Sequence, residues 1–500
     1  MKRYTALILC ALSVFSLCFG CQSTGQTGQP TYRYDITVAE VKDVTTFDPH
    51  KTTDEYSQRA FSYIYDSLLY QNPDLEIEPA LAESWEYTSD TEIVFHLRQG
   101  VKFHNGAEMT ADDVVYSLER VISEPAVRAS FWAVDGVEKV DDMTVKVKLN
   151  TPYTDILWSL ASPSASILCK DNEDNGETPV GTGSMKMEEW QKNKSVKYVR
   201  NDEYWKGTPK TESITVNVVP ESTMRMGNLK SGYADFVSEV PPSALSGIEN
   251  HKRVKIESYF EDKVTFLSLN GKKEPFDNPL VRQAISCAID KEALVQVVLE
   301  GRGKTANTVL AETALGYSDT EYYSYDVDKA IELMEKAGYP EGFSAEIYVY
   351  GDDDSRTAQL IQSDLAKIGI TLDISVVETA TILDYANSGV YDMCILTAGN
   401  PGSTDGSIYN LFHSSSSSSS GNRSFFADSA ADELLDRART EKDETARAEL
   451  YIEAQDIIME QAAAVPLFTR ERIYGINKKL EGYVISKTGR PELWNAAAAE

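Results

Sequence analysis

The five histidines are the first residues to consider for metal binding or acid–base chemistry, and they are His50, His96, His104, His251 and His413. Their spacing includes no HExxH motif, and His96 and His104 lie on either side of a turn, so we interpret these two as structural residues. No GxSxG motif indicates a nucleophile, and no CxxC pair indicates zinc or redox chemistry. The sequence therefore predicts no catalytic residue, no metal site and no cofactor, with a surface hydrolase as the alternative from another class.

Two short motifs could bind ions. The run GTGSM at 181–185 is glycine-containing, but it lacks the Lys-Ser/Thr that a phosphate-binding P-loop requires. The acidic run Asp352–Asp354 precedes a predicted helix. Carboxylates stabilise an exposed helix N-terminus through the helix dipole, and cation binding is the alternative interpretation of this run.

A polar loop that follows a predicted strand is the best candidate for ligand binding. Residues 391–414 read YDMCILTAGNPGSTDGSIYNLFHS, with a strand predicted from Asp392 to Thr397. The loop after it is rich in Gly, Asn, Pro and Ser, and such loops at a sheet edge commonly hold ligands. We therefore expect residues of this loop to contact a ligand, and for Asp405 a turn or helix cap is the alternative role.

The composition excludes several classes of partner. The 500 residues have a formal net charge of −30, with a pI near 4.6. A nucleic acid or an anionic membrane surface would repel most of such a surface, so we expect no nucleic-acid partner. Hydrophobic residues make up 42% of the chain, which is enough for more than one core. The length predicts roughly two to four domains.

The N-terminus has the pattern of a secretory signal peptide over residues 1–20, with two basic residues before an apolar stretch. Gly20-Cys21 resembles the cleavage site of bacterial lipoproteins, although Cys18 stands where that motif usually has Leu. We therefore expect a lipid anchor on Cys21; an ordinary secreted protein and a retained anchor are the alternatives. The polar stretch at 21–32 is predicted to be a flexible tether. No later stretch approaches the ~20 apolar residues of a membrane span.

Three cysteines remain in the folded part once Cys10, Cys18 and Cys21 are set aside, namely Cys169, Cys287 and Cys394. They are far apart and odd in number, and each is next to apolar residues. We predict buried free thiols, with a disulfide as the alternative.

The residues from Leu81 to Arg120 contain the clearest local signals. The run TEIVFHLR alternates apolar and polar residues, which is typical of a half-buried strand. Asn105-Gly106 supplies a turn, because both residues tolerate positive φ. Thr110 with Asp113 three positions later predicts the capped start of a helix.

Helix and strand signals alternate further along the chain. Asn278-Pro279 begins a helix that its apolar stripe predicts to continue to Gly301. Asp326 and Gly338 bound another helix. A helix at 360–367 then passes into the alternating strand ITLDISV. Helices that alternate with strands predict an α/β fold.

The chain resembles the family 5 solute-binding proteins, which are extracytoplasmic receptors for peptides, nickel chelates and some sugars. The resemblance begins with the Leu81–Arg120 block and extends over almost the whole mature chain in the family's order. Further matching blocks are TFDPHK, YDSLLY, PVGTGSMKMEEW, NDEYWKG, LKSGYADF, PFDNPLVRQAISCAIDKEAL, YDVDKAIELMEKAGYP, LAKIGITLDI and AAAVPLF.

The resemblance implies an α/β, bilobal type II periplasmic-binding-protein fold with an extra middle domain, in which discontinuous lobes are joined by a hinge. Lobe one would comprise residues 33–70, 180–280 and 475–500, and lobe three 281–474. The middle domain, 71–179, would pack beside lobe one. Such receptors enclose their ligand by hinge closure.

The resemblance also indicates where charges are missing. In peptide-binding relatives an aspartate, usually preceded by a tryptophan, pairs with the ligand's amino group. This sequence has Asn400 in place of the aspartate and Thr397 in place of the tryptophan. Asp405, five residues later, is a possible substitute. Dipeptide-binding relatives use an arginine where this chain has Tyr348, and oligopeptide-binding relatives use a basic residue in the strand that here contains Cys394. Because an amide cannot neutralise a buried ammonium, these differences weaken a peptide assignment.

Four further contact residues are expected from the same resemblance. Thr53 and Glu55 match a loop that touches ligand in the oligopeptide-binding relatives. Trp132 and Tyr483 match wall positions. Ordinary packing is the alternative for each.

The function implied is that of a lipid-anchored substrate-binding protein of an ABC importer, located outside the cell membrane. It would capture peptides or a peptide-like solute and deliver it to permease and ATPase subunits, as a monomer without catalysis of its own. One alternative is a receptor for a sugar, an opine or a metal chelate. Another is a chemosensory or adhesive surface lipoprotein.

Overall fold

The computed structural model describes residues 31–399, 402–416, 421–487 and 489–500. The signal peptide at 1–20, Cys21, most of the tether and Asn400 lie outside these residues. Helices and strands are mixed throughout, which confirms the α/β prediction.

The first sheet is centred on the strand Asp35–Glu40. This strand is parallel to Ser213–Val218 on one side and to Phe236–Val237 on the other. Ser195–Arg200 and Met185–Gln191 extend the sheet in antiparallel order. Apolar side chains that point to one face of the sheet form its core, which includes Ile36, Val38, Val196, Tyr198 and Ile214.

The second sheet is centred on Ser344–Val349, which is parallel to Thr371–Val376 and Met393–Ala398. The helices Gly351–Ala366 and Thr379–Ser388 make the connections between these parallel strands. Val264–Leu269 then pairs antiparallel with Met393–Ala398. Every residue of Val264–Leu269 is buried, as expected of a strand in the middle of a sheet.

One long strand, Ala464–Asn477, belongs to both sheets, and we call it the crossing strand. Its first half pairs with Val264–Leu269 and Gly303–Thr305, and its second half pairs with Phe236–Val237 and Val254–Phe260. Residues 261–263, the crossing linker, connect Val254–Phe260 to Val264–Leu269 beside it. The chain thus passes between the sheets near residue 262, whereas the expected division placed all of 180–280 in lobe one.

The third sheet is a separate antiparallel sheet within the expected middle domain, in the order Ala82–Ser89, Glu92–Leu97, Thr144–Leu149 and Val134–Asp141. The predicted alternation is confirmed, because Ile93, Phe95 and Leu97 are buried while their neighbours are partly exposed. The helix Ala111–Ser123 covers this core and begins at Thr110, whose N–H donates to Asp113 at 2.9 Å. Arg120 of the helix pairs with Asp48 at 2.8 Å and attaches this domain to the first sheet.

The helix predicted from Asn278 to Gly301 is divided in the structure into Pro279–Ala288 and Lys291–Val297. Asn278 caps the first helix by accepting a hydrogen bond from Leu280 N at 3.0 Å, as predicted. Prediction of a single helix is wrong because Ile289 is extended and Asp290 caps a new helix through Ala293 N at 2.9 Å. The helix Val327–Ala337 ends at Gly338, with φ of +90°, as predicted.

The remaining elements surround these sheets. The other α-helices are Glu55–Ile64, Ile156–Ala161, Ser222–Ser231, Thr404–Phe412, Ser429–Thr440 and Glu444–Glu460, with 3₁₀ turns at Arg128–Phe131, Pro163–Ala165 and Pro242–Gly247. Short strands are Tyr32–Arg33, Leu69–Gln71, Ile77–Pro79, Leu480–Glu481, Val484–Ile485, Pro491–Glu492 and Ala497–Ala499. Cys169, Cys287 and Cys394 are buried free thiols, which confirms that prediction.

Candidate functional site

A cavity of about 410 Å³ lies where the two large sheets and the middle domain meet. Its wall includes the start of the helix Glu55–Ile64, the helix Ile156–Ala161 with the turn after it, and the loop at 399–406. The crossing linker and Arg472 of the crossing strand also line it. The residues that connect the sheets therefore contact whatever occupies the cavity.

Glu55 is the centre of an ion cluster on one wall. Its carboxylate accepts hydrogen bonds from Arg59 at 2.7 Å and from Arg472 Nη2 at 3.0 Å, and Lys263 Nζ lies 3.8 Å away. Burial alone would raise the pKa of Glu55, but the hydrogen bond from Arg472 and the charges of Arg59, Arg472 and Lys263 lower it well below its ordinary value. Glu55 is thus ionised and fully engaged by cations of the protein.

Arg472 extends this cluster to the crossing linker. Its guanidinium also donates to Glu261 at 2.8 Å, so one side chain joins the helix Glu55–Ile64 to the linker. Arg59 is held from behind by Glu40, which accepts two bonds of 2.9 Å. Charged side chains of the protein therefore neutralise two cavity carboxylates, those of Glu55 and Glu261.

Asp262 is the third carboxylate of the cavity wall, and it is buried. The Thr313 hydroxyl donates to its Oδ1, and the backbone N–H of Gly402 also hydrogen-bonds to it. Burial raises the pKa of Asp262 in spite of these bonds. No cation among the described residues forms an ion pair with it.

Arg490 is a further cation that lines the cavity. The strands Val484–Ile485 and Pro491–Glu492 pair antiparallel, and Arg490 N donates to Ser486 Oγ at 3.0 Å, so a short hairpin positions the residue. Its guanidinium lines the cavity and is partly buried. Within the described part of the chain it forms no ion pair and no side-chain hydrogen bond.

The middle domain contributes one aromatic ring and several hydroxyl groups. Trp158 lines the cavity, together with Ser159, Ser162 and Ser164. A Cβ at Gly402 would lie 2.3 Å from the Trp158 ring, so the backbone at Gly402 approaches the ring as closely as glycine allows. Hydroxyl groups and one indole suit a polar organic solute with some apolar surface.

A direct contact closes one side of the cavity. The hydroxyl of Ser403 donates to Asp155 Oδ2 at 2.7 Å, and Thr154 N donates to the carbonyl of Arg439 at 3.1 Å. Burial, and then the charge of Asp405, raises the pKa of Asp155 to about 6. Thr154 and Asp155, within the segment expected to be the middle domain, thus contact the region of the second sheet.

Thr53 and Glu55 line the cavity, and their contact with a ligand stays a prediction. Asp405 lies behind the wall, where it is buried and paired with Arg439 at 2.8 and 3.1 Å. Trp132 packs against Tyr153 and against the guanidinium of Arg439 rather than lining the cavity.

The other expected residues lie elsewhere. Tyr348 donates to Glu346 at 2.6 Å and packs edge-on against Tyr385, away from the cavity wall. Tyr483 packs against Phe236 and hydrogen-bonds to Glu257. Asn400 is outside the described residues, so its contact role stays a prediction.

Several lining residues were not anticipated from the sequence, namely Arg59, Gln71, Trp158, Glu261, Asp262, Lys263, Arg472 and Arg490. One signal could have found part of this set, because the charged run Glu261–Lys263 directly precedes the fully buried strand Val264–Leu269. Arg490 carries no comparable local signal.

The described residues contain no cluster of three or more His, Cys, Asp or Glu side chains arranged to hold a metal ion. No helix in the same ranges has the length and apolarity that crossing a membrane would require.

Two sheets that share a crossing strand around a polar cavity define a bilobal binding protein. The family model described as "Bacterial extracellular solute-binding proteins, family 5 Middle" matches residues 76–419, and the chain belongs to this family of solute-binding proteins. This confirms the resemblance drawn from the sequence and the bilobal fold. The family consists of solute-binding proteins rather than enzymes.

Individual relatives agree with this assignment. The chain is 31% identical to heme-binding protein A of Haemophilus influenzae over 466 residues, covering 85% of each chain. It is 29% identical to the dipeptide-binding protein of Escherichia coli over 461 residues, covering 84% of this chain and 86% of that one. A solved structure of the periplasmic binding protein DppA from Helicobacter pylori, in complex with the peptide STSA, is 30% identical and superposes with a TM-score of 0.82. That match covers 93% of this chain and 98% of that one.

Proposed function

We propose that this protein captures a peptide or a peptide-like solute in the cavity and delivers it to the permease and ATPase subunits of an ABC importer. The observation that carries the proposal is the cavity itself. The crossing linker and the crossing strand contribute to its wall, which contains charges of both signs. A zwitterionic solute complements such a wall. Relatives named for dipeptide binding and solved with a bound peptide support the same class.

Closure of the two lobes about the crossing linker and the crossing strand is part of this proposal. Contacts that form only in the closed state, such as Ser403 with Asp155, stabilise that state when ligand is bound. On this basis the lobes divide near residue 262 and within the crossing strand, with 71–179 as the middle domain. The protein acts as a monomer.

Membrane attachment is proposed from the sequence of the first residues. Processing after residue 20 would leave Cys21 at the N-terminus, where a lipid anchor and a tether to about residue 32 would hold the folded part outside the membrane. Metabolic labelling with a radioactive fatty acid tests this proposal. The wild-type chain should incorporate label and Cys21→Ser should not, and equal labelling would refute the anchor.

A non-peptide solute is the second candidate, and the sequence provides its support. The charged residues expected of peptide-binding relatives are replaced by Asn400 and Tyr348, and the chain is 31% identical to a relative named for heme binding. A sugar, an opine or a metal chelate would be the ligand in this case.

One experiment decides between the candidates. The protein is purified without its signal peptide, copurifying small molecules are identified by mass spectrometry, and each is titrated by calorimetry. Release of peptides that bind again after removal supports the peptide proposal. Copurification of a solute without peptide bonds, combined with no heat on titration of a mixture of dipeptides to tetrapeptides, refutes it.

A further inference from the structure

The cavity wall contains three carboxylates, and they differ in how far the protein neutralises them. Glu55 is engaged by Arg59, Arg472 and Lys263, and Glu261 is engaged by Arg472. Asp262 receives hydrogen bonds only from neutral groups, although it is more deeply buried than either. The charge of Lys263, its neighbour in sequence, acts against the rise in the pKa of Asp262, but the Lys263 ammonium lies 3.8 Å from Glu55 and forms no ion pair with Asp262 within the described residues.

A buried carboxylate without a paired cation is costly, because hydrogen bonds from neutral groups replace only part of the hydration that it has lost. Hydrogen bonds from Thr313 and Gly402 offset only part of this cost, since burial still raises the pKa of Asp262. A cationic group on a ligand in the cavity would remove the remaining cost. The wall therefore selects for such a ligand at this point.

The cations of the cavity wall also differ in whether a carboxylate of the protein neutralises them. Arg59, Arg472 and Lys263 are paired with carboxylates, whereas Arg490 is unpaired within the described residues. A guanidinium presents a planar fork of N–H groups that matches a carboxylate in a bidentate arrangement. The hairpin around Arg490 holds its backbone, and its guanidinium lines the cavity.

The two unpaired groups belong to different parts of the fold. Asp262 is in the crossing linker and packs against the loop that follows the second sheet, since a Cβ at Gly399 would lie 2.1 Å from the Asp262 carbonyl oxygen. Arg490 is in the C-terminal hairpin beside the first sheet. A ligand with one positive and one negative end would therefore contact both sides of the cleft.

We propose that Asp262 binds the ammonium group of the ligand and that Arg490 binds its carboxylate, so that the ligand is a zwitterion oriented with its amino end at the crossing linker. This deepens the proposed function and rests on it. It also supplies the negative charge that Asn400 lacks, from a residue on the strand connection that packs against Gly399.

Blocked peptides test each end separately. An unblocked peptide found to bind is compared with its N-acetylated and its C-amidated forms by calorimetry, on the wild type and on Asp262→Asn and Arg490→Gln. Asp262→Asn should weaken binding of the unblocked and amidated forms about 10–100-fold and leave the N-acetylated form unchanged. Arg490→Gln should weaken the unblocked and N-acetylated forms by a similar factor and leave the amidated form unchanged.

Controls separate this inference from folding and from the proposed function. Exposed residues give matched variants, Asp142→Asn and Arg253→Gln, which should bind all three forms like the wild type. Asp262→Asn should unfold at the same or a higher temperature without ligand, because it removes a buried charge. Asp262→Ser and Arg490→Met, which also remove the charges, replace any variant that fails to fold.

Failure of this inference and failure of the proposed function give different results. Losses that are equal for blocked and unblocked peptides, or no loss at all, overturn the inference while peptide binding stands. If no peptide binds the wild type, the proposed function fails, and the copurified solute becomes the probe. The inference is then overturned if that solute lacks a cationic or an anionic group, or if both variants bind it like the wild type.

Discussion

The hydroxyl of Ser403 donates a hydrogen bond of 2.7 Å to the carboxylate of Asp155, and this bond connects the loop after the second sheet to the middle domain. Both residues are buried. Asp405 lies close enough to raise the pKa of Asp155 further, so the contact that closes the cavity brings two carboxylates together. Its strength therefore depends on pH.

Replacing Asp155 by asparagine should stabilise the protein above pH 6. The pKa of Asp155 is raised from 3.8 to about 6, so its favourable contribution is complete below pH 3.8 and is lost as pH rises through about 6. The amide of Asp155→Asn accepts from Ser403 without a charge, and we expect a gain of up to about 3 kcal/mol at pH 8, at ~1.4 kcal/mol per pKa unit. Urea unfolding at pH 5 and pH 8 measures this. A loss at pH 8, or a similar gain from the exposed control Asp135→Asn, would contradict the expectation.

His104 should reduce stability on the acid side. Burial lowers its pKa to about 4, against the hydrogen bond between its Nε2 and the carbonyl of Gly183. The unfolded chain takes up the proton below about pH 6.5 and the folded chain only near pH 4, so stability is lost as pH falls through this window, by up to about 3 kcal/mol. His104→Gln should flatten the dependence measured by urea unfolding between pH 4 and 7. His96→Gln, on a partly exposed position, should leave it unchanged; a variant of His104 with an unaltered slope would argue against this assignment.

Arg472→Gln should weaken both folding and ligand binding. The change removes the guanidinium that joins Glu55 to Glu261 and leaves two carboxylates facing one another. We expect a loss of ~1–3 kcal/mol in the free energy of unfolding, below the ~3–5 kcal/mol of a fully buried pair, because the Glu55 side chain is 38% exposed. Arg470→Gln, two residues earlier on the same strand, is the matched control and should cost less than ~1 kcal/mol. Equal effects of the two changes would show that the Glu55–Glu261 connection is unimportant.

Gly399→Ala should disturb the crossing linker. A Cβ at this position would lie 2.1 Å from the Asp262 carbonyl oxygen and 2.8 Å from Lys263 Cα, so backbone must shift. Overpacking of this kind costs ~1–3 kcal/mol, and we expect weaker ligand binding as well. Gly136→Ala in the third sheet, where a Cβ meets nothing within 4 Å, is the control. Calorimetric titration and thermal unfolding of both variants test the prediction, and binding like the wild type in Gly399→Ala would exclude a role for this packing.

Local patterns were sufficient for the elements that are stabilised locally. The alternation around Phe95 and the cap at Asn278 depend on residues within a few positions, and both are present in the structure. The end of the helix Pro279–Ala288 was missed because the apolar stripe continues past Ile289. The hydrogen bond that Asp290 accepts from Ala293 N starts a new helix there. The apolar stripe predicted one continuous helix, whereas the cap at Asp290 begins a second one, and the structure has the second helix.

The site was less accessible to sequence reasoning because its members meet only through the fold. Arg472 reaches Glu55 across 417 positions of sequence, and the pairing depends on the path of the crossing strand. Asp405 and Tyr348 were chosen by position in a resemblance, yet both are engaged by neighbours, Arg439 and Glu346, that alignment does not reveal. Neutralisation by such partners is a property of packing, so it is invisible in the residue types alone.

The crossing strand imposes an order on biosynthesis. Ala464–Asn477 completes both large sheets, yet it lies within the last 40 residues of the chain. During translation the strands Phe236–Val237 and Val264–Leu269 leave the ribosome before their partner exists, so each sheet has an open edge until the crossing strand has been made. A truncation before residue 464 would therefore leave two incomplete sheets rather than one missing lobe.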